Sequence, residues 1–374
     1  MYKTMWGLTL LLCCVLGWSQ SENRLWQAHL EREQLARQLT FEYEVSITQG
    51  YTPRGAPADS SGAMVRMPIK PFRFSTTTSL TLRRTPQLTI IETSWPVYNA
   101  EKNAPDWVKW VAFWSEEWVG ALTYDAQGKP YTFEVSRTSS FATKHTNRWG
   151  GGFLGAPEYL VMLGGESLAG LYKLQWQMKP TPEGDLALIA SNPDDGKAYA
   201  ELSPEFEHRF EAILSRTYSA PVTLKHYPAY THYKNDYTVF TVKSWRKHEG
   251  YWFPEQIIEE THTANRETEE VVVYQLKAAR RTANLDLNQF LPEGTWVADY
   301  RHRLVDAPYV RRDTAKPVQY RWQGRLLSLA ELERLAQDRP PTRPRPWGLW
   351  VSFIAATALL LTGVVWYART RKHA

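Results

Sequence analysis

Cysteine is almost missing from this chain. Its 374 residues hold two, Cys13 and Cys14, side by side in an apolar N-terminal stretch. Beyond residue 19 there is none, so a mature chain has no thiol catalysis, no disulfide and no Cys-ligated metal. Such a protein must be held together by its hydrophobic core. Asn-x-Ser/Thr is also missing between residues 20 and 337, which points to a bacterial rather than a eukaryotic secretory origin. Charged residues reach only 22%, against 43% hydrophobic, with a mean hydropathy of −0.46. That balance is too apolar for a disordered chain and too polar for a polytopic membrane protein.

The ends are apolar. Lys3, the run from Met5 to Leu16, and small residues at Gly17 and Ser19 read as a secretory signal peptide over 1–19, cut before Gln20. Leu12 directly before Cys13 argues against a lipidation site, which wants a small residue there. From Trp347 to Tyr367 no residue carries a formal charge. Those 21 residues, with Trp347 and Trp350 at one end and Trp366 and Tyr367 at the other, predict a single transmembrane helix with interfacial aromatic belts. Arg369, Arg371 and Lys372 follow as a stop-transfer signal, in a cytoplasmic tail over 368–374. Residues 338–346 form a stiff Pro/Arg stalk. The expected protein is single-pass in a bacterial cytoplasmic membrane, with its bulk, residues 20–337, in the periplasm or cell exterior.

The net charge of +5 then changes meaning. Lys3 contributes one positive charge, the stalk a net two and the tail three, so the body is left at −1. The basic balance is a topology signal at the chain ends, and nucleic acid is not an expected partner.

The body reads as α+β: a large curved antiparallel sheet of ten or more strands, with an N-terminal helix and a helical insertion. Residues 21–39 carry an approximate helical stripe, Leu25, Trp26, Leu30, Leu35 and Leu39. The period then drops to two, with Phe41, Tyr43, Val45 and Ile47 alternating with Glu42, Glu44 and Ser46. Residues 72–84 and 87–95 repeat the device, and Asp125–Gly128 turns a hairpin between Trp118–Tyr124 and Tyr131–Val135. Pro157 opens the helical insertion, which Gly164-Gly165 breaks. Short strands are expected in 173–180, 185–192 and 197–203, three long ones between 236 and 282, and a last helix over 328–337. No linker divides the body.

Chemistry-bearing motifs are few. Gly150–Gly155 fits G-x-G-x-x-G in form, but no strand precedes it and no βαβ unit surrounds it. His226 and His232 sit too far apart on a strand, with no third ligand, to suggest a metal. The pairs Glu116-Glu117 and Glu259-Glu260 split between opposite strand faces, and read as solvated or surface hydrogen-bonded groups rather than paired catalysts. No cofactor or metal is expected. Tryptophan, by contrast, is dense: Trp95, Trp107, Trp110, Trp114 and Trp118 fall within about 25 residues. Large rings of this kind fill sheet cores, or line a site for an apolar ligand. Trp110, Trp114, Trp118 and Phe133 are the candidate ligand-binding residues.

Later motifs carry a resemblance. Gly250, Tyr251, Trp252 and Pro254 precede Phe290, Pro292, Gly294, Thr295, Val297 and Asp299, in an F-x-P-x-G-T-x-V-x-D segment. With the order of elements, this resembles a divergent bacterial branch of the periplasmic outer-membrane lipoprotein carrier (LolA/LolB-like) superfamily, over about residues 21–301. The resemblance implies an unclosed half-barrel sheet, covered by helices, around an apolar cavity for acyl chains. It also implies carriers or envelope-stress sensors, and transfers no ligand residues. A C-terminal span departs from the freely diffusing carriers. The expected function is a membrane-anchored, non-enzymatic module binding a lipid, a lipoprotein acyl chain or another apolar ligand. The alternatives are an envelope-sensing or protein-interaction module with a filled core, and an exported hydrolase.

Overall fold

The computed structural model describes residues 22–51, 71–99, 102, 104–125, 127–137, 157–164, 167–171, 174, 176–191, 209–227, 237–262, 268–302 and 317–337. The expected signal peptide, stalk, transmembrane helix and tail, the Gly150–Gly155 segment, His232 and the strand over 197–203 lie outside these residues. Among the described residues no helix is long and apolar enough to cross a membrane. The chain divides into two compact units, 1–326 and 327–374.

Helix α1 covers 22–36. Fifteen strands follow in the first unit: β1 (Leu39–Tyr51), β2 (Phe72–Arg84), β3 (Thr89–Asn99), β4 (Ala104–Trp114), β5 (Trp118–Tyr124), β6 (Pro130–Arg137), β7 (Gln177–Pro180), β8 (Leu186–Ser191), β9 (Arg209–Ser215), β10 (Ala220–Tyr227), β11 (Tyr237–His248), β12 (Tyr251–His262), β13 (Thr268–Arg281), β14 (Trp296–Asp299) and β15 (Val318–Arg321). Helix α2 (Pro157–Met162) lies between β6 and β7, and α3 (Leu329–Gln337) is in the second unit. A capping box starts α3: the Glu331 amide donates to Ser328 Oγ at 3.3 Å, and the Ser328 amide to Glu331 Oε2 at 2.7 Å.

All fifteen strands join one sheet, in the order β15-β14-β6-β5-β4-β3-β2-β1-β13-β12-β11-β10-β9-β8-β7. β1 is the middle strand, with seven on either side. Every pairing is antiparallel except β14 against β6, where Val297 lies beside Phe133 in parallel register. The sequence predicts only antiparallel hairpins. It also assigns no strands to 209–227, where β9 and β10 meet at the turn 216–219, nor to 296–299 or 318–321.

Cross-strand register sorts the side chains onto two faces. On the first face, Phe41 lies opposite Leu82, and Tyr43 opposite Leu80. The same face continues through Leu82↔Ile91 and Ile91↔Ala112 in one direction. In the other it runs through Val45↔Tyr274, Tyr274↔Ile257 and Phe240↔Leu224. These residues form the main core, and α2 packs into it with Tyr159 through Leu163 all buried.

The opposite face of β1 and β2 carries charge. Glu92 accepts from Arg83 at 2.9 Å and pairs with Lys109 at 3.4 Å, and Glu44 meets Lys277 at 2.9 Å. Further along it turns apolar. Ile90, Val111, Phe113, Leu122, Phe133 and Val135 form a second core with Leu291, Val297 and Trp322. Its cover is the link from β13 to β14, together with the residues after β15. That link starts at the centre of the sheet and must reach β14 beside β6, so its path lays Leu285, Leu287, Phe290 and Leu291 across the back of β3–β6.

Residues of the segment from Phe290 to Asp299 build the end of this link. Phe290 packs edge-on against Phe113 at 5.8 Å. Gly294 takes φ +83°, a left-handed turn that glycine adopts without penalty. Thr295 Oγ1 donates to Pro292 O at 2.7 Å. Asp299, fully buried, accepts from Arg301 Nε at 3.0 Å, from Arg301 Nη2 at 2.8 Å and from the Tyr320 hydroxyl at 3.1 Å.

Candidate functional site

The first face offers the site, and its residues fall into rows across β2, β3 and β4. One row holds Arg84, Thr89 and Trp114; the next Leu82, Ile91 and Ala112; the next Leu80, Thr93 and Trp110. Trp95 lies opposite Val108, and Val97 opposite Asp106. On β4 the rings of Trp110 and Trp114 thus flank Ala112, whose neighbour on β5 is Ala121. A Trp–Ala–Trp sequence on one strand face places two large rings either side of a shallow floor.

Toward one edge this apolar face stays partly open. Tyr51, Phe72 and Phe74 are half-buried and stack in series, with centroids 6.3 and 6.1 Å apart. Val97 is 39% exposed and Val108 37%.

The four candidate residues do not share a surface. Trp110 and Trp114 belong to the first face, with Trp110 in the main core and Trp114 packed against it. Trp118 and Phe133 lie on the other face, 6.0 Å apart in an edge-on contact within the second core. The reason is strand period. Trp110 and Trp114 are even-numbered positions of β4, and the turn at 115–117 brings Trp118 back on β5 with the opposite orientation. Phe133 is further committed by Gly120: a Cβ there would come within 2.5 Å of the Phe133 ring. Sequence density brings the four together; alternation separates them.

The indole Nε1 atoms of Trp110 and Trp114 are buried and, among the described residues, have no hydrogen-bond partner. Their polar neighbours are committed elsewhere. Thr93 Oγ1 donates to Ser79 O at 2.7 Å, Thr78 Oγ1 to Ser94 O at 2.8 Å, and Thr89 Oγ1 accepts from Arg84 Nε at 3.1 Å.

Polar contacts tie α2 to the same face. The Tyr43 hydroxyl donates to Leu163 O at 3.1 Å and Arg84 Nη1 lies 3.5 Å from Gly164 O, so side chains of β1 and β2 meet carbonyls just past the helix end. Gly164 has φ +77°, in line with the helix stop expected there. At the other end of α2, Glu259 accepts from the hydroxyls of Tyr159 at 2.5 Å and Tyr274 at 2.8 Å. Burial and the Glu259 carboxylate hold both phenols well above the usual tyrosine range, and thus protonated. Glu259 is 1% exposed, not the surface group the sequence suggests. His226 is likewise buried, stacked on Phe210 at 4.5 Å.

Alpha-helix 1 brings His29, Arg32 and Glu33 into the interior. His29 Nε2 accepts from the Leu168 amide at 3.3 Å, which leaves the proton on Nδ1, 3.2 Å from Ser219 O. Burial and the nearby Arg32 guanidinium lower its pKa to about 3. Arg32 pairs with Glu33, donates to Trp252 O at 3.3 Å and lies over the Phe253 ring at 5.5 Å. Nothing in the sequence around these residues signals burial, because in an amphipathic segment a charged side chain is ordinarily on the solvent side. Among the described residues no group of three or more His, Cys, Asp or Glu could hold a metal ion.

No family model and no curated protein matches the chain. Among solved structures it is similar to a DUF1329 family protein from Desulfovibrio piger, at 12% identity and a TM-score of 0.41, over 72% of this chain and 97% of that one. It is also similar to a LolA superfamily protein from Nitrosomonas europaea, at 11% identity and a TM-score of 0.34, over 69% of this chain and 94% of that one.

Proposed function

We propose that this chain is a membrane-tethered, extracytoplasmic binding module for an acyl chain or similar apolar ligand, built on a half-barrel sheet. The observation that carries the reading is the partly open apolar face of β1–β4. Tyr51, Phe72, Phe74, Val97 and Val108 continue the main core outward without being fully covered. Exposed apolar area of this kind is costly in water, at about 25 cal/mol per Å², and an acyl chain laid along it would recover that cost. Trp110 and Trp114 are the proposed contact residues; Trp118 and Phe133 serve the second core instead. The tether and the export route rest on the apolar ends of the sequence.

A second reading has its own observation. Tyr159 through Leu163 are all buried, and α2 is fastened by Tyr43 and by the Glu259–Tyr159–Tyr274 cluster. A core plugged in this way suits a sensing or protein-interaction module. Native mass spectrometry of the full chain, released from detergent, separates the two. The binding reading expects a stoichiometric mass addition that fragments to fatty-acyl ions. A chain that carries no such addition, even after incubation with excess fatty acid, supports the filled-core reading instead.

A further inference from the structure

The two indole N–H groups left over on the first face specify more than an apolar surface. We infer that Trp110 and Trp114 recognise an oxygen acceptor on the ligand, so that the site takes acyl compounds, as carboxylate or ester, rather than plain hydrocarbon. This rests on the binding reading above and names its ligand chemistry.

A buried donor without an acceptor is unfavourable, and native proteins leave few of them. Here two occur four residues apart on one strand, on the same face and flanking Ala112. Among the described residues no acceptor reaches either nitrogen; the nearby hydroxyls of Thr78, Thr93 and Thr89 bond Ser94 O, Ser79 O and Arg84 instead. Asp106, the carboxylate on this face of β4, is held at the far end by Asn99 at 2.7 Å and Lys102 at 2.8 Å. The wall therefore has donors to spare. A ligand matching it needs an apolar body for the rings and one or two acceptor oxygens for the N–H groups. Pure hydrocarbon would leave both donors unsatisfied; a carboxyl or ester would satisfy them in a site that excludes water.

The test uses the full chain in nanodiscs and three quenchers of tryptophan fluorescence with the same chain length: 11-bromoundecanoic acid, its methyl ester and 1-bromoundecane. The same bilayer is present in every sample, so partition into lipid cancels when variants are compared. Trp110→Phe and Trp114→Phe each remove one N–H and keep an aromatic ring. Each should weaken acid or ester binding by about fivefold, the worth of one hydrogen bond, and leave the bromoalkane midpoint within about twofold. Acid and ester together show whether the acceptor must be ionised. Equal weakening of all three probes would mean that the rings only pack, and would overturn the inference while leaving the binding reading intact. So would variants that weaken none of them, as when water serves the two donors. Saturable quenching by no probe would overturn both. One readout needs no variant: the resonance Raman band that reports indole N–H hydrogen bonding should shift on adding the ester and stay put on adding the bromoalkane.

Discussion

At residue scale the most informative groups are buried polar ones. Asp299 is enclosed with Arg301, which makes paired contacts to both of its oxygens. Asp299→Ala removes the carboxylate that Arg301 and Tyr320 both contact and leaves a small void, and should cost about 3 kcal/mol in denaturant unfolding. Gly120 presents the opposite problem. Its Cβ would strike the Phe133 ring from 2.5 Å, so Gly120→Ala should cost about 2 kcal/mol by overpacking, although the change is a single methyl. His29 gives a pH signature. Its folded pKa is lowered from 6.5 to about 3, so the unfolded chain binds the extra proton between those values. The stability it provides is complete above about pH 6.5 and is lost as pH falls toward 3. Half-buried Glu270, whose carboxyl desolvation holds above the usual range, acts in the opposite sense. The difference between wild type and His29→Gln isolates the histidine: the gap in unfolding midpoint should narrow steadily from pH 7 to pH 4. Asp299 was legible in the sequence as a motif position, though its partner was not. Gly120 and His29 were not legible, because each owes its role to a residue distant in sequence, Phe133 in one case and Ser219 in the other.

At the scale of elements, alternation and turns carried most of the signal. Residues 72–84 match β2 from end to end, the hairpin at Asp125–Gly128 joins β5 to β6, and Glu249-Gly250 turns β11 into β12 through two left-handed residues. What escaped was every element whose reason is remote. β14 and β15 are four residues each, too short for a period to register; the link from β13 delivers β14 beside β6, and β15 pairs onto β14. β9 and β10 lack a clean alternation, since Ala, Ser and Thr dilute it. The second core has the same origin as the split of the tryptophan group: rings dense along the chain alternate between the two faces of the sheet. Phe133→Ala should therefore cost about 3–5 kcal/mol of stability. Apolar-probe quenching should persist in that variant, because its ring lies on the face opposite Trp110 and Trp114. Loss of probe binding in a chain that remains folded would contradict the assignment of the two faces.

Across the first unit, one sheet centred on β1 carries two cores, and the first face runs out of cover toward Val97 and Val108. Composition limited the possibilities early. Without cysteine beyond residue 19 the unit depends on buried area, and its near-neutral body turns interest away from polyanions and toward the apolar face. The fold class and the strand-rich order are readable from periodicity; the parallel pairing and the sorting of rings by face depend on contacts between residues remote in sequence. The central claim is that the open part of the first face holds an acyl ligand. A photoreactive fatty acid with a diazirine near its terminal methyl, added to the full chain in nanodiscs, tests it most directly. After irradiation and peptide mapping, labelling should saturate on β2, β3 and β4, around Phe74, Trp95 and Trp110, and be displaced by unlabelled dodecanoic acid. Adducts that fall only within residues 347–367, or that rise linearly without displacement, would contradict the account.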